Sequence, residues 1–493
     1  MKPMKICILS SEIMPYAKTG GLADVAGALI GELKARGHDV RGFMPLYRGV
    51  RDREPSMRAL AELTDVGLRL GDTSYLYSVL AGNFPGTGAT MYFIDCPALY
   101  DRPGFYTSDA DEHRRFILFT RAALETCRRI GFGPDVFHCN DWHTGFLPLY
   151  LKTIYSGEAL FERSRSLMTI HNIGYQGVMS AAALDDLGVD GIRPLIDPED
   201  LSAGVVNALR TGLKYADVVS TVSPTYAREI CATELGMGMQ ATLLARGEPV
   251  IGILNGVDYR EWDPRHDPHL GAHFDPRDLA GKRENKRTLL GDAGLTVDPS
   301  RPLIGMVSRL AEQKGFDLLM QVLPRCLAEH DCAFVALGSG EPRYAEFLES
   351  LVRRFPGRAA FSGRHDEAMA HLIEAGSDAF LMPSRYEPCG LNQMYSLRYG
   401  TIPIVRNTGG LADSVRHFDP GTGEGTGCVF NDYDTAAVNW AIGTTLSWYA
   451  DAPLWDRLVQ NAMAQDFSWS RQVAEYEALY RRESDLAAVS SSA

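Results

Sequence analysis

The hexapeptide TGGLAD occurs twice in this chain, at Thr19–Asp24 and at Thr408–Asp413. Each copy follows an apolar, strand-like run and opens a helix-like one. Glycines let backbone N–H groups approach an anion, and a helix N-terminus favours negative charge. Lys18, directly before the first copy, adds a cation beside Gly20 and Gly21. The pattern predicts two phosphate-binding turns and hence two α/β lobes. The alternative is that the glycines are needed only for the turn and that Lys18 is simply an exposed lysine.

Two cations lie five residues apart after another apolar run. Arg309 and Lys314 belong to the segment SRLAEQKGFD, which follows LIGMV. An arginine can bind phosphate oxygens through two parallel N–H groups, and a lysine adds a compact positive charge, so the two side chains together could bind a diphosphate. Most such side chains are only solvated, but open α/β sheets bind ligands at the carboxyl ends of their strands. We therefore predict a diphosphate clamp here.

The most specific segment is PSRYEPCGLNQMYSLRYGTIPIV, which spans residues 383–405. Glu387 lies in a loop rich in proline and glycine, where Cys389, Gly390 and Leu391 can offer backbone N–H groups at a helix start. A carboxylate beside such donors can accept sugar hydroxyl protons or face a developing cation. The alternative makes Glu387 a helix-start charge and Cys389 a small buried filler. Because the loop lies just before the second TGGLAD, a functional role is favoured.

Three further polar residues follow strand-like runs. They are His171 in TIHNIGYQG, Asp141 in HCNDWHTG and Asn255 in ILNGVD. Polar side chains at strand ends converge on ligands in open α/β sheets, and polar aromatic clusters suit sugars. A structural histidine and a turn-forming Asn-Gly remain equally open at this point.

Two D-x-D triplets raise the possibility of a metal-dependent transferase. Asp434, in the triplet 432–434, is better explained as the N-cap of the helix beginning TAAVNWAI. The triplet 109–111 lies in a charged surface stretch. We therefore expect neither a catalytic metal nor a cofactor.

The overall composition excludes several classes of protein. Asp and Glu outnumber Lys and Arg by 62 to 49, whereas a nucleic-acid binder more often carries a basic excess. No apolar run is long enough for a membrane span, and the amino terminus lacks the pattern of a signal peptide. Nine scattered cysteines without a C-x-x-C pair favour a reducing compartment. We expect a cytoplasmic protein.

Alternating strand and helix patterns must position these residues. After the first strand, residues 22–36 predict an amphipathic helix, and the alternation predicts parallel sheets covered on both faces. The predicted strands are Lys5–Leu9, His38–Met44, Met91–Ile94, Val136–Cys139, Leu167–Ile170 and Val218–Val222 in the first lobe, and Leu303–Val307, Ala333–Leu337, Ala379–Met382 and Ile402–Val405 in the second.

At 493 residues the chain suits two domains. A charged segment rich in proline and histidine, residues 258–301, separates the two sets of strands. We predict an amino-terminal domain at 1–257, a carboxyl-terminal domain at 258–466, a helix from 467 to about 485, and a disordered tail at 486–493.

Taken together and in this order, the motifs resemble those of bacterial glycogen synthases, the ADP-glucose-using family that includes plant starch synthases. The resemblance implies the GT-B fold: two Rossmann-like domains whose parallel sheets face an interdomain cleft, with the carboxyl-terminal helix (467–485) packing back on the first, acceptor-side domain. The segments that carry the resemblance are SSEIMPYAKTGGLADV, HCNDWHTG, TIHNIGYQG, ILNGVD, VSRLAEQKGFDLL, SRYEPCGLNQMYSLRYGTIPIVRNTGGLADSV and FSWSRQVAEYEALY.

The resemblance also implies a role for each residue in the first domain. Lys18 and the Gly20–Gly21 turn would contact the nucleotide sugar. His171 would bond the glucose 6-hydroxyl, and Asp141 would lie on the acceptor side.

Arg309 and Lys314 of the second domain would hold the distal phosphate, and Asn255, near the end of the first domain, would bond the glucose 6-hydroxyl. Glu387 would hold the 3- and 4-hydroxyls. The substrate would further contact Cys389, Gly390, Leu391 and Thr408.

The implied reaction transfers glucose from ADP-glucose to the non-reducing 4-hydroxyl of an α-1,4-glucan, such as glycogen or a maltooligosaccharide, with retention of configuration. A retaining double displacement needs two positioned carboxyl groups. Related retaining transferases often carry a second glutamate eight residues after the first, but that position here is Tyr395. We therefore expect a front-face displacement, with Glu387, His171, Arg309 and Lys314 as the catalytic residues.

Three alternatives remain open at this point. The same chemistry could use UDP-glucose as donor or form maltose 1-phosphate from glucose 1-phosphate. A non-hydrolysing sugar-nucleotide epimerase shares the two-lobed architecture without making a polymer. A non-catalytic sugar-nucleotide binder would bind without turnover.

Overall fold

The computed structural model describes residues 2–53 and 57–481. By its internal contacts the chain forms two compact units. The described part of the first consists of residues 2–53, 57–222, 227–253 and 469–481, and the second of residues 223–226 and 254–468.

The strands, in chain order, are β1 (Lys5–Leu9), β2 (Asp39–Pro45), β3 (Arg58–Ala59), β4 (Val66–Leu70), β5 (Thr73–Asn83), β6 (Thr90–Asp95), β7 (Val136–Asn140), β8 (Arg165–Ile170), β9 (Val178–Ser180), β10 (Val205–Asn207), β11 (Val218–Thr221), β12 (Ile251–Gly252), β13 (Leu303–Val307), β14 (Ala333–Leu337), β15 (Ala359–Ser362), β16 (Ala379–Met382), β17 (Ile402–Arg406) and β18 (Cys428–Phe430).

The α-helices are α1 (Gly21–Ala35), α2 (Arg48–Arg51), α3 (Pro97–Tyr100), α4 (Glu112–Arg129), α5 (Leu147–Lys152), α6 (Pro198–Ser202), α7 (Ala208–Tyr215), α8 (Pro224–Ala232), α9 (Gln240–Ala245), α10 (Ala280–Asp292), α11 (Phe316–Glu329), α12 (Pro342–Arg354), α13 (Glu367–Gly376), α14 (Asn392–Arg398), α15 (Gly409–Ser414), α16 (Thr435–Tyr449), α17 (Ala452–Met463) and α18 (Trp469–Arg481). Short 3-10 helices span Ala61–Leu63, Trp142–Thr144, Ala159–Phe161, Ala181–Leu187, Arg193–Leu195, Glu234–Gly236 and Glu312–Lys314.

The first unit is built on a mixed sheet with β1 near its middle. Seven neighbouring strands, in the order β12-β11-β8-β7-β1-β2-β6, pair in parallel. The last four residues of β1 are fully buried, as expected for a strand covered on both faces. The six strands predicted for this lobe are all present, with ends shifted by up to two residues.

One edge of this sheet is antiparallel, which the alternation of strands and helices did not predict. β5 is an eleven-residue strand that pairs antiparallel with β6, β3 and β4. Its residues alternate between buried and more exposed along much of its length, as expected for an edge strand with one face on the core. A Gly71–Asp72 turn joins β4 to β5.

The second unit contains one six-stranded parallel sheet, in the order β15-β14-β13-β16-β17-β18. The four predicted strands are present, three of them with the predicted ends. β15 and β18 extend the sheet at its two edges. β14 is buried along its whole length because helices cover both faces of its sheet.

The helix predicted at the carboxyl end is α18, which contacts α1 within the first unit. Glu477 on α18 binds His38 at 2.8 Å and Arg36 at 2.8 Å, and Tyr480 binds His138 at 2.8 Å. The end of the predicted helix beyond residue 481 and the predicted tail at 486–493 lie outside the described residues.

Within the described ranges, no helix combines the length and the apolar character that a membrane span requires.

Candidate active site

In the second unit, the predicted site residues lie where the order of strands reverses. The chain runs from β13 outward to β14 and β15, and then returns to the other side of β13 as β16. Open α/β sheets bind ligands at such a switch point, beyond the carboxyl ends of the strands. Arg309 and Lys314 follow β13, and Glu387 follows β16. The topology therefore brings both predicted cations and the predicted carboxylate to neighbouring strand ends.

Lys314 and Glu387 form a direct ion pair at this point. Lys314 Nζ lies 2.6 Å from Glu387 Oε2, and their side chains are 19% and 6% exposed. Ser384 donates a second hydrogen bond to the same oxygen at 3.0 Å. The carboxylate of Glu387 is therefore held in one orientation, with Oε1 left to accept hydrogen bonds from a ligand.

Arg309 occupies the same connection as Lys314 but is exposed. Its guanidinium donates to Gln313 Oε1 at 3.3 Å. Gly315, with a φ of +79°, lets this connection pass close to Pro383, since a Cβ at Gly315 would lie 2.2 Å from the carbonyl oxygen of Pro383. The cation loop is thus packed against the segment that leads into Glu387.

Gln393 holds the Cys389–Gly390 turn in place through hydrogen bonds to its carbonyl groups. The Gln393 amide donates to the carbonyls of Cys389 and Gly390, both at 3.0 Å. Gly390 has a φ of +72°, and Leu391 is the N-cap of α14. This turn therefore leads straight into a helix start, as the sequence predicts.

Asn255 lies beside Cys389 in the second unit. It is 5% exposed, and its Oδ1 atom has no hydrogen-bond partner. A buried amide oxygen without a partner is costly unless a ligand supplies a donor. Burial raises the pKa of the Cys389 thiol to about 12, while a backbone hydrogen bond from Asn255 opposes that shift. The side chain of Cys389 is thus a small buried filler.

In the second TGGLAD copy, the backbone N–H of Gly410 is already bonded within the chain. Gly410 donates its N–H to the carbonyl oxygens of Glu387 at 3.1 Å and Pro388 at 3.2 Å. A Cβ at Gly409 would lie 1.9 Å from the Glu387 carbonyl oxygen. Thr408, 1% exposed, is the N-cap of the six-residue α15. This copy holds the Glu387 loop in place, because its glycines allow two backbones to touch.

The first TGGLAD copy is different. Gly20 is the N-cap of α1, and a Cβ there would meet no atom within 4 Å. Its extended φ of −159° does not require glycine either. Open space in front of the first turn of a long helix fits the predicted contact between backbone N–H groups and an anion. Lys18 pairs with Asp24 at 2.9 Å beside Gly21, the first residue of that helix.

Glu12 and Tyr106 support this turn, and we did not predict either residue. Glu12 is 3% exposed, and its carboxylate accepts hydrogen bonds from the N–H and the hydroxyl of Thr19. Tyr106 donates to the same carboxylate at 2.5 Å. A glutamate inside the apolar start of a chain, SSEIMPY, was the available signal, since such a residue is rarely buried unless it is paired.

Asp141 follows β7, across the reversal of strand order from β1. It has a φ of +55°, and its Oδ1 accepts the backbone N–H of His171 at 2.7 Å. Burial raises the pKa of Asp141 to about 7, although the N–H groups of His171 and Asn172 oppose the shift. The nearby carboxylate of Glu12 raises it further. Strained backbone and a raised carboxyl pKa together are typical of functional positions.

His171 is oriented by Asn140. The Asn140 amide nitrogen donates to the carbonyl of Leu9 at 2.9 Å, so its oxygen faces His171 Nε2 at 2.8 Å. Nε2 must therefore carry the proton, which leaves Nδ1 as an acceptor. Desolvation lowers the pKa of His171 to about 3. The ring is thus neutral at physiological pH and suited to accept a hydroxyl proton in a hydrogen bond.

In the first unit, the structure thus brings together the Gly20–Gly21 turn with Lys18, and Asp141 with His171. In the second unit it brings together Lys314 with Glu387, and Asn255 with Cys389. The D-x-D segments behave as predicted. Asp434 caps α16 by accepting the N–H of Ala437 at 2.8 Å, and the flanking aspartates of triplet 109–111 bind Arg102.

Two family models match the chain. The model described as the starch synthase catalytic domain covers residues 5–245. The model described as glycosyl transferases group 1 covers residues 292–464.

Curated relatives match nearly the full length. The glycogen synthase of Koribacter versatilis is 42% identical, with 97% of this chain and 98% of that protein aligned. The glycogen synthase of Anaeromyxobacter dehalogenans is 43% identical over 97% of this chain and 99% of its own.

Solved structures show the same architecture. The catalytic domain of starch synthase IV from Arabidopsis thaliana, bound to ADP and acarbose, aligns with a TM-score of 0.89 at 36% identity, covering 98% of this chain and 99% of that one. A sucrose-phosphate synthase from Thermosynechococcus elongatus, at 18% identity and a TM-score of 0.61, shares the fold. The architecture is therefore of the two-domain GT-B type, and the chain belongs to the glycogen and starch synthase family of glycosyltransferases.

Proposed function

We propose that this protein transfers glucose from ADP-glucose to the non-reducing 4-hydroxyl of an α-1,4-glucan, with retention of the anomeric configuration. The observation that carries the proposal is the pairing of Lys314 with Glu387 at the switch point of the second unit, beside Arg309. Glycogen synthases among the relatives and the ADP- and acarbose-bound starch synthase support the choice of donor and acceptor.

In this proposal the two cations stabilise the leaving diphosphate. Negative charge develops on the distal phosphate as the glycosidic bond breaks, and Arg309 and Lys314 are placed to absorb it. Arg309 offers a planar fork of donors and Lys314 a point charge. Lys314 would then shift part of its interaction from Glu387 to the phosphate during the reaction.

Retention is proposed to follow a front-face path. Tyr395 stands where related enzymes carry a second glutamate, and it stacks on Trp262 with ring centroids 3.9 Å apart and an angle of 2°. Glu387 is itself occupied by Lys314 and Ser384. A double displacement needs a free nucleophilic carboxylate and a separate acid/base group. The departing diphosphate oxygen is therefore the proposed acceptor for the proton of the incoming hydroxyl.

Sugar recognition is proposed for four residues. Glu387 would accept the 3- and 4-hydroxyls beside the Cys389–Gly390 turn. His171 Nδ1, an acceptor created by the tautomer of the ring, would accept the proton of the 6-hydroxyl. Asn255, whose buried oxygen has no partner, would bond the same hydroxyl through its amide group, which can also donate. Asp141 would lie on the acceptor side. A cytoplasmic location stays a prediction.

The deciding experiment offers either glycogen or glucose 1-phosphate as acceptor together with either ADP-glucose or UDP-glucose, and measures the released nucleotide and the growth of the acceptor. We expect faster release from ADP-glucose, and new linkages that an enzyme specific for α-1,4 bonds can digest. Preferred use of UDP-glucose, growth only on glucose 1-phosphate, isomerised sugar nucleotide without growth, or binding without turnover would each contradict the proposal.

A further inference from the structure

A second set of ligand-type side chains lies in the second unit, outside the proposed transfer machinery. The carboxylates of Glu261 and Glu367 and an imidazole nitrogen of His371 lie within 4.8 Å of one another. Glu261 belongs to the segment before α10. Glu367 and His371 lie one turn apart on α13, so their side chains share a face of that helix.

A hydrogen bond to Asp267 orients the ring of His371 as in a metal ligand. Its Nδ1 atom lies 2.7 Å from Asp267 Oδ2, and the side chain of each residue is fully buried. A carboxylate on the back nitrogen fixes the ring orientation and makes the front nitrogen more basic, as is usual for histidines that bind metals. In the neutral ring, a proton on Nδ1 leaves a lone pair on Nε2.

The front nitrogen of His371 has no hydrogen-bond partner. Nε2 is buried and lies 3.8 Å from Glu367 Oε1, which is too far for a hydrogen bond. Buried nitrogens in proteins are normally paired, so an orphan Nε2 directed at a carboxylate indicates a missing partner between them. Among the described residues, none lies within hydrogen-bond distance of Nε2.

The ring is held rigidly in this position. Trp262, adjacent to Glu261 in the chain, stacks on His371 with centroids 3.6 Å apart and an angle of 13°. The exposed ring of His269 lies on another side, with its centroid 4.5 Å from that of His371.

We infer that Glu261, Glu367 and His371 bind one divalent transition-metal ion, for which zinc is the best chemical match. Imidazole and carboxylate ligands suit zinc, and a tetrahedral site with bonds of about 2.1 Å places its donor atoms about 3.4 Å apart. Rotation of the partly exposed glutamate side chains closes the remaining distance. The ion would tie the segment before α10 to the start of α13, a structural role independent of glucosyl transfer.

The test uses the full-length protein, freed of metal with a chelator and desalted. Zinc is titrated against a chromophoric indicator, in the native chain and in the variants Glu261→Gln and Glu367→Gln. These side chains are partly exposed, so the variants keep the contacts of His371 with Asp267 and Trp262. Glu284→Gln is the matched control, because Glu284 is exposed on α10 and pairs only locally with Arg287 at 2.8 Å.

We expect one zinc ion per chain in the native protein and the control, with affinity reduced at least about tenfold in each cluster variant. Cobalt should give visible absorption bands in the native protein that both cluster variants weaken. Failure of the native chain to retain one equivalent of zinc would overturn the inference. Equal binding by all four proteins would do so too, because it would assign the ion to other groups such as the buried thiols.

Discussion

Lys314 and Glu387 are 73 residues apart in the chain, yet Nζ and Oε2 lie 2.6 Å apart. The contact exists because β16 pairs beside β13, which brings the connections after the two strands together. Lys314 therefore has two partners in the proposed reaction: Glu387 before the donor binds, and the distal phosphate afterwards. In the proposed reaction, the pair would join the part of the site that holds sugar to the part that holds phosphate.

Because Lys314 and Glu387 pair directly, substitutions at the two positions should have non-additive effects on the free energy of unfolding. Lys314→Ala leaves the carboxylate of Glu387, 5% exposed, with Ser384 as its remaining side-chain partner. We expect Lys314→Ala to destabilise the fold and Glu387→Gln to relieve most of that effect, with a coupling free energy of about 0.5–3 kcal/mol. Denaturant unfolding of the two single variants and the double variant measures it. Additive effects within error would show that the contact contributes nothing.

The two TGGLAD copies predict opposite results for the same substitution. Gly20→Ala adds a methyl group to open space, so we expect an unchanged Tm and a reduced kcat/KM for the donor. Gly410→Ala places a Cβ 2.1 Å from the carbonyl oxygen of Cys389, so we expect a fall in Tm of several degrees, since crowding of this kind costs about 1–3 kcal/mol. The measurements are thermal unfolding and donor-dependent kinetics.

Gly271→Ala serves as a further control, because a Cβ there also meets nothing within 4 Å and the residue lies in neither proposed substrate site. Its Tm and kinetics should match those of the native chain. The different roles of the two copies would be refuted if Gly20→Ala and Gly410→Ala lowered the Tm equally.

The raised pKa of Asp141 predicts that this residue contributes to the stability of the fold in a pH-dependent way. Its pKa of about 7 in the folded chain lies above the ordinary value of 3.8, so the folded state holds the proton more tightly. The contribution is complete below pH 3.8 and is lost as the pH rises through 7. Asp141→Asn keeps an oxygen for the His171 N–H but never ionises.

We therefore expect Asp141→Asn to raise the Tm relative to the native chain by about 3–8 °C at pH 8, with the difference shrinking towards pH 4. Thermal unfolding between pH 4 and pH 8 measures this. A constant difference across that range would mean that the carboxyl group of Asp141 does not titrate as described.

Cys389 is predicted to be chemically inert despite its position. Its thiol is 4% exposed and burial raises its pKa to about 12, so almost no thiolate exists at pH 8. We expect iodoacetamide to leave Cys389 unlabelled in the native chain and to label the less buried Cys231 first. Mass spectrometry of digested protein identifies the labelled sites. Rapid labelling of Cys389 with loss of activity would instead support oxidation sensitivity.

The buried centres of both sheets could be predicted from the sequence, whereas the edges could not. β1, β13, β14 and β16 are continuous apolar runs, and the structure gives them the predicted ends. β5 was missed because only one of its faces is buried, although a Gly-Asp turn between two alternating runs was a usable hairpin signal. β18, with three residues, is too short to show any pattern.

The site residues could be predicted one at a time, but their contacts could not. The types and positions of Lys314 and Glu387 indicated chemistry, while their pairing depends on strand order. The two TGGLAD copies are identical in sequence, and only the packing of Gly410 on the Glu387 loop distinguishes them. Glu12 and Asn255 show the same limit, because burial and missing partners are properties of the folded chain.

The most direct test of the account is the kcat of Arg309→Ala and Lys314→Ala with ADP-glucose and glycogen. Arg325→Ala is the control, since Arg325 is an exposed arginine of the same unit that pairs with Glu329 one turn along α11. We predict that each site variant loses about 10²–10³ in kcat with its fold intact by circular dichroism, while the control keeps native turnover. Near-native kcat in both site variants would contradict the claim that these cations stabilise the departing diphosphate.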